Sequence, residues 1–247
     1  MGDALLRIEG LGKTYGKYAA LKGVSFSLFP GDILGIVGEN GAGKSTLLSL
    51  LGMIQKPTTG TVSFLGKEIG RQKKEYLSCI GYVPQEIALF EELTGRENLR
   101  FFGKAYGLSK EPLENSIRRV IQITEFPETW LNKPVAQYSG GMKRKIHIGA
   151  ALLHEPKMLL LDEPVANLDF ETEEQVLTVL KQLAEQGTAI LYVGHQMEQM
   201  EVLCNKICLL KQGEQLVYGE TGEVLKNGEK TLKQLFREMG RGTSEKE

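Results

Sequence analysis

Three observations predict an α/β fold built on a mostly parallel sheet. The glycine-rich segment Gly38-Glu39-Asn40-Gly41-Ala42-Gly43-Lys44-Ser45-Thr46 lies between one apolar run that reads as a buried strand and another that reads as a helix. Two later apolar runs, Met158-Leu159-Leu160-Leu161 and Ala189-Ile190-Leu191-Tyr192-Val193, have the length and continuity of central parallel strands. A helical stretch, 171–186, separates them, and alternation of strand and helix favours parallel pairing. A β-rich beginning and a helix-rich middle add an antiparallel β-subdomain and an α-helical subdomain to this core.

The elements follow in order. Leu6 and Ile8 alternate with Arg7 and Glu9, and Val24, Phe26 and Leu28 alternate with Ser25 and Ser27, the period of half-buried strands. Ile33-Leu34-Gly35-Ile36-Val37 is the buried strand before the glycine segment. The helix after it covers Thr46 to Leu51 and closes before Pro57. Thr61-Val62-Ser63-Phe64-Leu65 follows a Thr-Gly turn as another strand. Thr94 and Glu97 form a capping box that starts a helix through Phe102, and a second helix covers Leu113 to Thr124. Ser139 caps a helix reaching Leu153, and Gly187 ends the helix 171–186. Residues 1–239 read as one domain, with the helical subdomain at 86–137, and 240–247, small and charged, read as a frayed tail.

Composition narrows the function. The 247 residues hold 30 Lys and Arg against 31 Asp and Glu, which supports neither a nucleic-acid footprint nor a polybasic membrane anchor, so no nucleic-acid partner is expected. No apolar stretch has the length of a membrane span, and the first residues lack the basic-then-apolar pattern of a signal peptide. Gly2 follows Met1, but Leu6 stands where a myristoylation signal needs Ser or Thr. Cys79, Cys204 and Cys208 form no paired framework and suit a reducing compartment. Cys204 and Cys208 have no further Cys pair or nearby His to complete a metal site, and read as small apolar residues.

The glycine segment fits the phosphate-binding loop of nucleotide hydrolases, in the strand-loop-helix context that gives that motif its meaning. Gly38, Gly41 and Gly43 let the backbone curl so that its amides converge on phosphate oxygens, and the following helix adds unpaired N–H groups and the positive end of its dipole. Lys44 suits the β- and γ-phosphates, Ser45 a Mg²⁺ ion and Thr46 the α-phosphate. The core is therefore expected to be that of a P-loop NTPase.

Other groups fall at the carboxyl ends of strands, where open parallel sheets bind ligands. Asp162 and Glu163 end the Leu159–Leu161 run; there Asp162 can hold Mg²⁺ through water and Glu163 can polarise an attacking water, although an acidic pair after an apolar run can also simply begin a loop. Gln85, after Tyr82-Val83-Pro84, offers a neutral amide to the metal or the lytic water, or is a surface glutamine. His195 follows Val193-Gly194 and can meet a γ-phosphate, or is structural; His147 and His154 carry no assigned chemistry. Tyr15 either stacks on a base or packs at a turn. Tyr138-Ser139-Gly140-Gly141-Met142 creates a second helix N-terminus suited to an anion.

In this order, the loop at Gly38, Gln85, Ser139-Gly140-Gly141, Asp162-Glu163 and His195 resemble the ATP-binding cassette (ABC) family from about Leu5 to Glu220. The resemblance implies ATP and Mg²⁺ as cofactors. It implies adenine stacking by Tyr15, a Walker A loop from Gly38 through Asn40 to Thr46, and a glutamine loop at Gln85 that relays nucleotide state. Ser139 to Met142 resembles the signature that grips the γ-phosphate of ATP on the opposite subunit. Asp162 and Glu163 resemble the Walker B pair, with Glu163 as general base. Asp169 ends the loop that crosses the dimer interface, and His195 resembles the switch histidine. The sequence departs from the usual pattern at Met142, where Gln is commonest, and at Asn167, in Ala166-Asn167-Leu168-Asp169. It also departs at Gly194, where Thr or Ser is frequent and where glycine is expected to loosen the strand end.

Two anion readers on separate lobes imply a head-to-tail dimer with a second copy or a related cassette. Transport then requires a separately encoded polytopic membrane subunit, docked on the helical lobe, with the chain cytoplasmic and peripheral on the inner face of the cell membrane. Glu92-Leu93-Thr94-Gly95-Arg96-Glu97-Asn98-Leu99 resembles the drug, antibiotic and ion exporter branch. The rival reading is a cassette ATPase acting on ribosomes or DNA. Ribosome-associated members usually carry two cassettes and repair ATPases carry long coiled coils, whereas this sequence has one cassette and no heptad insertion.

Overall fold

The computed structural model describes residues 3–241. The chain begins with the strands β1 (Leu6–Tyr15), β2 (Tyr18–Leu28) and β3 (Ile33–Val37), then α1 (Lys44–Leu51), β4 (Thr59–Phe64), β5 (Lys67–Glu68), α2 (Lys73–Leu77) and β6 (Ile80–Val83). The middle holds α3 (Gly95–Ala105), α4 (Lys110–Ile123) and α5 (Gly140–Leu152). The rest is β7 (Met158–Asp162), α6 (Phe170–Glu185), β8 (Ala189–Val193), α7 (Met197–Leu203), β9 (Lys206–Lys211), β10 (Glu214–Glu220), α8 (Thr221–Val224) and α9 (Leu232–Arg241).

Among the described residues the strands make two sheets. The six-stranded sheet has the order β10-β9-β3-β8-β7-β6, parallel except for the β9–β10 pair, and the four-stranded sheet, β2-β1-β4-β5, is antiparallel. The central strands are apolar throughout because both of their faces are covered. Val37, Leu159, Leu161, Ile190 and Tyr192 face a core shared with α4, α5 and α6. Leu34, Ile36, Leu160, Leu191 and Val193 face a second core shared with α1 and the antiparallel sheet. Full burial of each such side chain contributes about 1.5–3 kcal/mol, which fixes which strand residues remain free to serve a site: those beyond the strand ends.

The local signals act as expected at several joints. Thr94 Oγ1 accepts from Glu97 N at 3.2 Å and Glu97 Oε2 accepts from Thr94 N at 2.9 Å, completing the capping box of α3. Ser139 Oγ accepts from Met142 N at 3.2 Å and opens α5. Gly187, at φ 97°, stops α6 in a conformation that a Cβ disfavours. Two boundaries shift. The helix after the glycine loop begins at Lys44 rather than Thr46, and β1 runs on beyond the Leu6–Glu9 alternation as far as Tyr15. Helix α9 continues through Arg241, and the remainder of the expected tail, 242–247, lies outside the described residues, as does Gly2. Cys204 and Cys208 are buried in the two cores, and burial pushes the Cys208 thiol up to about 12, as suits apolar packing.

Helix α5 passes through the interior and carries His147, 4% exposed. Burial, helped by the Arg144 charge, lowers its pKa to about 4. The folded state therefore binds this proton less readily than the unfolded chain, whose histidine titrates near ~6.5. The stability gained by keeping His147 neutral is complete above the unfolded value and is lost as pH falls from there toward 4, a loss on the order of 3 kcal/mol. Urea midpoints at pH 7.5 and 4.5 should fall further in the wild type than in His147→Gln. Equal falls would show that His147 does not drive the acid sensitivity.

Candidate functional site

A cleft of about 440 Å³ opens at the carboxyl ends of the central strands, lined by residues that include Tyr15, Gly43, Lys44, Asp162, Glu163 and His195. Sheet register explains the convergence. Val83 pairs with Leu161 and Asp162 with Val193, so Gln85, Glu163 and His195, each just past its strand, arrive at one level. A larger cleft, about 530 Å³, lies on another part of the surface beside Leu5, Arg119 and Thr188 and holds none of these groups. The chemistry decides between the two clefts, and it is in the first.

The loop before α1 is shaped by close approach. Gly43 sits at φ 106°, and a Cβ there would lie 2.6 Å from the Ala20 carbonyl oxygen, so only glycine lets the loop lie against β2. Gly43 caps α1 without a side chain to accept its first amides, which leaves them directed to a ligand. Lys44 Nζ donates to the carbonyls of Gly38 at 2.7 Å and Glu39 at 2.9 Å. Burial lowers the Lys44 pKa, while Glu163 and Asp162 oppose that shift.

Opposite the lysine stand two carboxylates, each 8% exposed. Burial raises the Asp162 pKa first and the neighbouring Glu163 charge adds to it, with Lys44 and His195 acting the other way. Glu163 Oε2 accepts from Gln85 Nε2 at 2.9 Å, Glu163 Oε1 pairs with His195 Nε2, and the Glu163 amide donates to Val193 O at 2.8 Å. The Glu163 backbone is left-handed, at φ 49°, a strained state for a non-glycine residue that the surrounding bonds maintain. Ser45, Asp162 and Gln85 all line the cleft, where a hydroxyl, a carboxylate and an amide oxygen would offer a hard divalent cation the donors it prefers, and the crowded carboxylates would be relieved by one. These residues fit Mg²⁺.

Among the expected site residues, Tyr15, Asn40, Gly41, Gly43, Lys44, Ser45, Thr46, Gln85, Asp162, Glu163 and His195 line this cleft. Gly38 starts the loop beneath it, where a Cβ would lie 2.5 Å from the Leu210 carbonyl oxygen. Ser139, Gly141 and Asp169 are not brought to it. Ser139 is exposed at the start of α5. Asp169 caps α6, accepting from Thr172 N at 3.0 Å and Thr172 Oγ1 at 2.8 Å. Gly141 packs so closely on Thr172 that a Cβ would come within 2.6 Å of its methyl. Tyr18 was not singled out from the sequence, yet it lines the cleft and its hydroxyl lies 3.5 Å from Gly41 O. Its signal was the Tyr15-Gly16-Lys17-Tyr18 turn, which pairs the two tyrosines across a hairpin.

The departures from the usual pattern have steric reasons. Asn167 adopts φ 61°, which asparagine tolerates better than most residues. At Gly194 a Cβ would lie 2.6 Å from the Tyr192 ring, so glycine there makes room for that buried ring rather than loosening the strand. Met142 is half-buried against the core that includes α4 and α6.

A phosphate loop, paired carboxylates and a polar set at the ends of a parallel sheet define a P-loop nucleotide hydrolase. Residues 21–166 match the ABC transporter family. The chain is 40% identical over 215 residues to the linearmycin resistance ATP-binding protein LnrL of Bacillus subtilis, covering 87% of this chain and 69% of that protein. It is 35% identical to the Nod factor export ATP-binding protein I of Sinorhizobium fredii, covering 88% of this chain and 63% of that one. Its structure resembles an ATP-binding subunit of an ABC transporter at a TM-score of 0.86 and 28% identity, covering 96% of this chain and 100% of that one. It also resembles a dimeric ATP-binding cassette in a post-hydrolysis state with ADP and Pi, at a TM-score of 0.78 and 29% identity, covering 87% and 98%. The chain belongs to the ABC transporter family, as an ATP-binding cassette and an ATPase.

Proposed function

We propose that this chain binds MgATP in the Lys44 cleft, hydrolyses it with Glu163 as general base, and powers export through a separate polytopic membrane subunit. The observation that carries the reading is the convergence of Lys44, Asp162, Glu163, Gln85 and His195 on one cleft. Backbone amides of the loop and Lys44 Nζ hold the phosphates, and Tyr15 stacks on adenine. Ser45, Asp162 and Gln85 hold Mg²⁺, which when bound neutralises charge on the terminal phosphates. Glu163 takes the proton of the attacking water, with its carboxylate oriented by Gln85 and His195. An α-helical subdomain at 86–137 completes the single domain at 1–239.

Ser139 is exposed at the start of α5, away from this chain's own cleft, with Gly141 buried beside it against Thr172, and that exposed cap supports the second half of the reading: the signature of one copy closes the nucleotide of another, and Asp169 lies on the loop between them. ATP is then both substrate and adhesive, and its hydrolysis releases the closed state.

No helix among the described residues is long and apolar enough to cross a membrane, so a transport role needs a partner that does. Docking on the helical lobe is supported by an exposed aromatic pair, Phe90 and Phe101, packed edge to face at 4.8 Å. Buried Asn98 fixes the preceding loop there, accepting from Phe90 N at 2.8 Å and donating to Phe90 O at 3.0 Å. The exporter direction rests on the likeness to the linearmycin resistance and Nod factor export proteins, and on this reading the chain works at the inner face of the cell membrane. Detergent extraction of membranes holding the tagged chain should recover a stoichiometric multi-span protein that alters its ATPase rate. Sedimentation with ribosomes instead would contradict the proposal.

A further inference from the structure

Arg144 lies on α5, five residues after Ser139, and is 4% exposed. A guanidinium removed from water needs strong partners. It donates through Nη2 to Gln85 O at 3.0 Å and through Nη1 to Pro84 O at 3.3 Å, while its buried Nε has no hydrogen-bond partner among the described residues. Both accepting carbonyls belong to the segment leaving β6, and the side chain of Gln85 donates to Glu163 Oε2 at 2.9 Å. A continuous path therefore runs from the helix that Ser139 opens, through Arg144, through the backbone and side chain of Gln85, to the Glu163 carboxylate.

We propose that Arg144 is a positioning residue that fastens the Gln85 segment to α5, so that displacement of the Ser139 helix shifts the Gln85 amide against Glu163. The inference rests on the assignment of Glu163 as general base and of Ser139 as the reader of a second copy's nucleotide. It adds a physical link by which nucleotide held at Ser139 governs turnover in this chain's own cleft. A short apolar side chain at 144 would serve packing equally well. A forked cation is needed only where two carbonyls must be held at once.

The test uses the full-length chain, with fluorescent ATP for affinity and steady-state hydrolysis for kcat. Arg144→Met should leave the ATP Kd within about twofold of wild type and lower kcat by about tenfold or more, the scale of losing a charged hydrogen bond. Gln85→Ala should lower kcat as well, and the double variant should be no worse than the weaker single variant within about twofold, because both act through one contact. Wild-type kcat in Arg144→Met, or single effects that multiply in the double variant, overturns the proposal. Arg144→Lys, which keeps the charge but reaches one carbonyl, decides the matter if the methionine variant does not fold. An intermediate kcat with unchanged Kd supports the clamp, and wild-type kcat overturns it. Lys44→Ala separates this from the site assignment: unchanged ATP affinity there refutes the cleft reading, whereas weakened ATP binding with an unaffected Arg144→Met refutes the clamp alone.

Discussion

Glu163→Gln is expected to lower ATP turnover by about two to four orders of magnitude, the usual contribution of a positioned general base. The substitution keeps the shape of the side chain and removes its basicity. Glu163 is suited to the role by its setting. It is almost fully buried, fixed from two sides by Gln85 and His195, and held in a left-handed backbone state that projects it past the end of β7. ATP affinity should persist or rise, because the amide removes one of two crowded carboxylates from the face that receives the phosphates. The second expected effect of this variant is accumulation of an ATP-bound dimer, since closure no longer ends in hydrolysis. Size-exclusion chromatography with light scattering at saturating MgATP reads this directly. A variant that remains monomeric, or that hydrolyses ATP at the wild-type rate, contradicts the assignment.

Lys44→Ala should act earlier, on binding. Lys44 is 6% exposed and its ammonium is already anchored to two loop carbonyls, so it is pre-organised at the cleft. Charged hydrogen bonds to phosphate oxygens contribute about 1.5–3 kcal/mol, so ATP affinity should fall by roughly 10- to 100-fold. Loss of the lysine also leaves Asp162 and Glu163 without the cation that faces them. Unchanged ATP affinity, measured by equilibrium fluorescence or calorimetry, would remove the loop from the binding site.

The two substitutions separate parts of the site that differ in how they can be read from sequence. Gly38 to Thr46, Asp162-Glu163 and the Ser139 cap are legible because each is a short local pattern whose chemistry depends on neighbours in the chain. The central strands are legible for the same reason, being uninterrupted apolar runs. Tyr18 and Arg144 are not. Tyr18 acquires its place from the β1–β2 hairpin, and Arg144 is one cation in the run Lys143-Arg144-Lys145, which by itself suggests a solvated helix face. Only packing of α5 against the segment after β6 buries it and turns it toward Gln85. The left-handed turn at Glu163 and the fit of Gly194 beneath Tyr192 are likewise products of tertiary contact, with no signature in composition or spacing.

The most direct measurement of the central claim is a crosslink between copies. Asn40 is exposed on the phosphate loop, and Gly140, next to Ser139, has open space where a Cβ would stand, so each accepts cysteine. In a Glu163→Gln, Cys79→Ser background, one tagged chain carrying Asn40→Cys is mixed with a differently tagged chain carrying Gly140→Cys and treated with a short bis-thiol reagent. The account predicts a covalent pair bearing both tags with MgATP, and none without nucleotide or with Lys44→Ala added. Absence of that pair at saturating MgATP would contradict it.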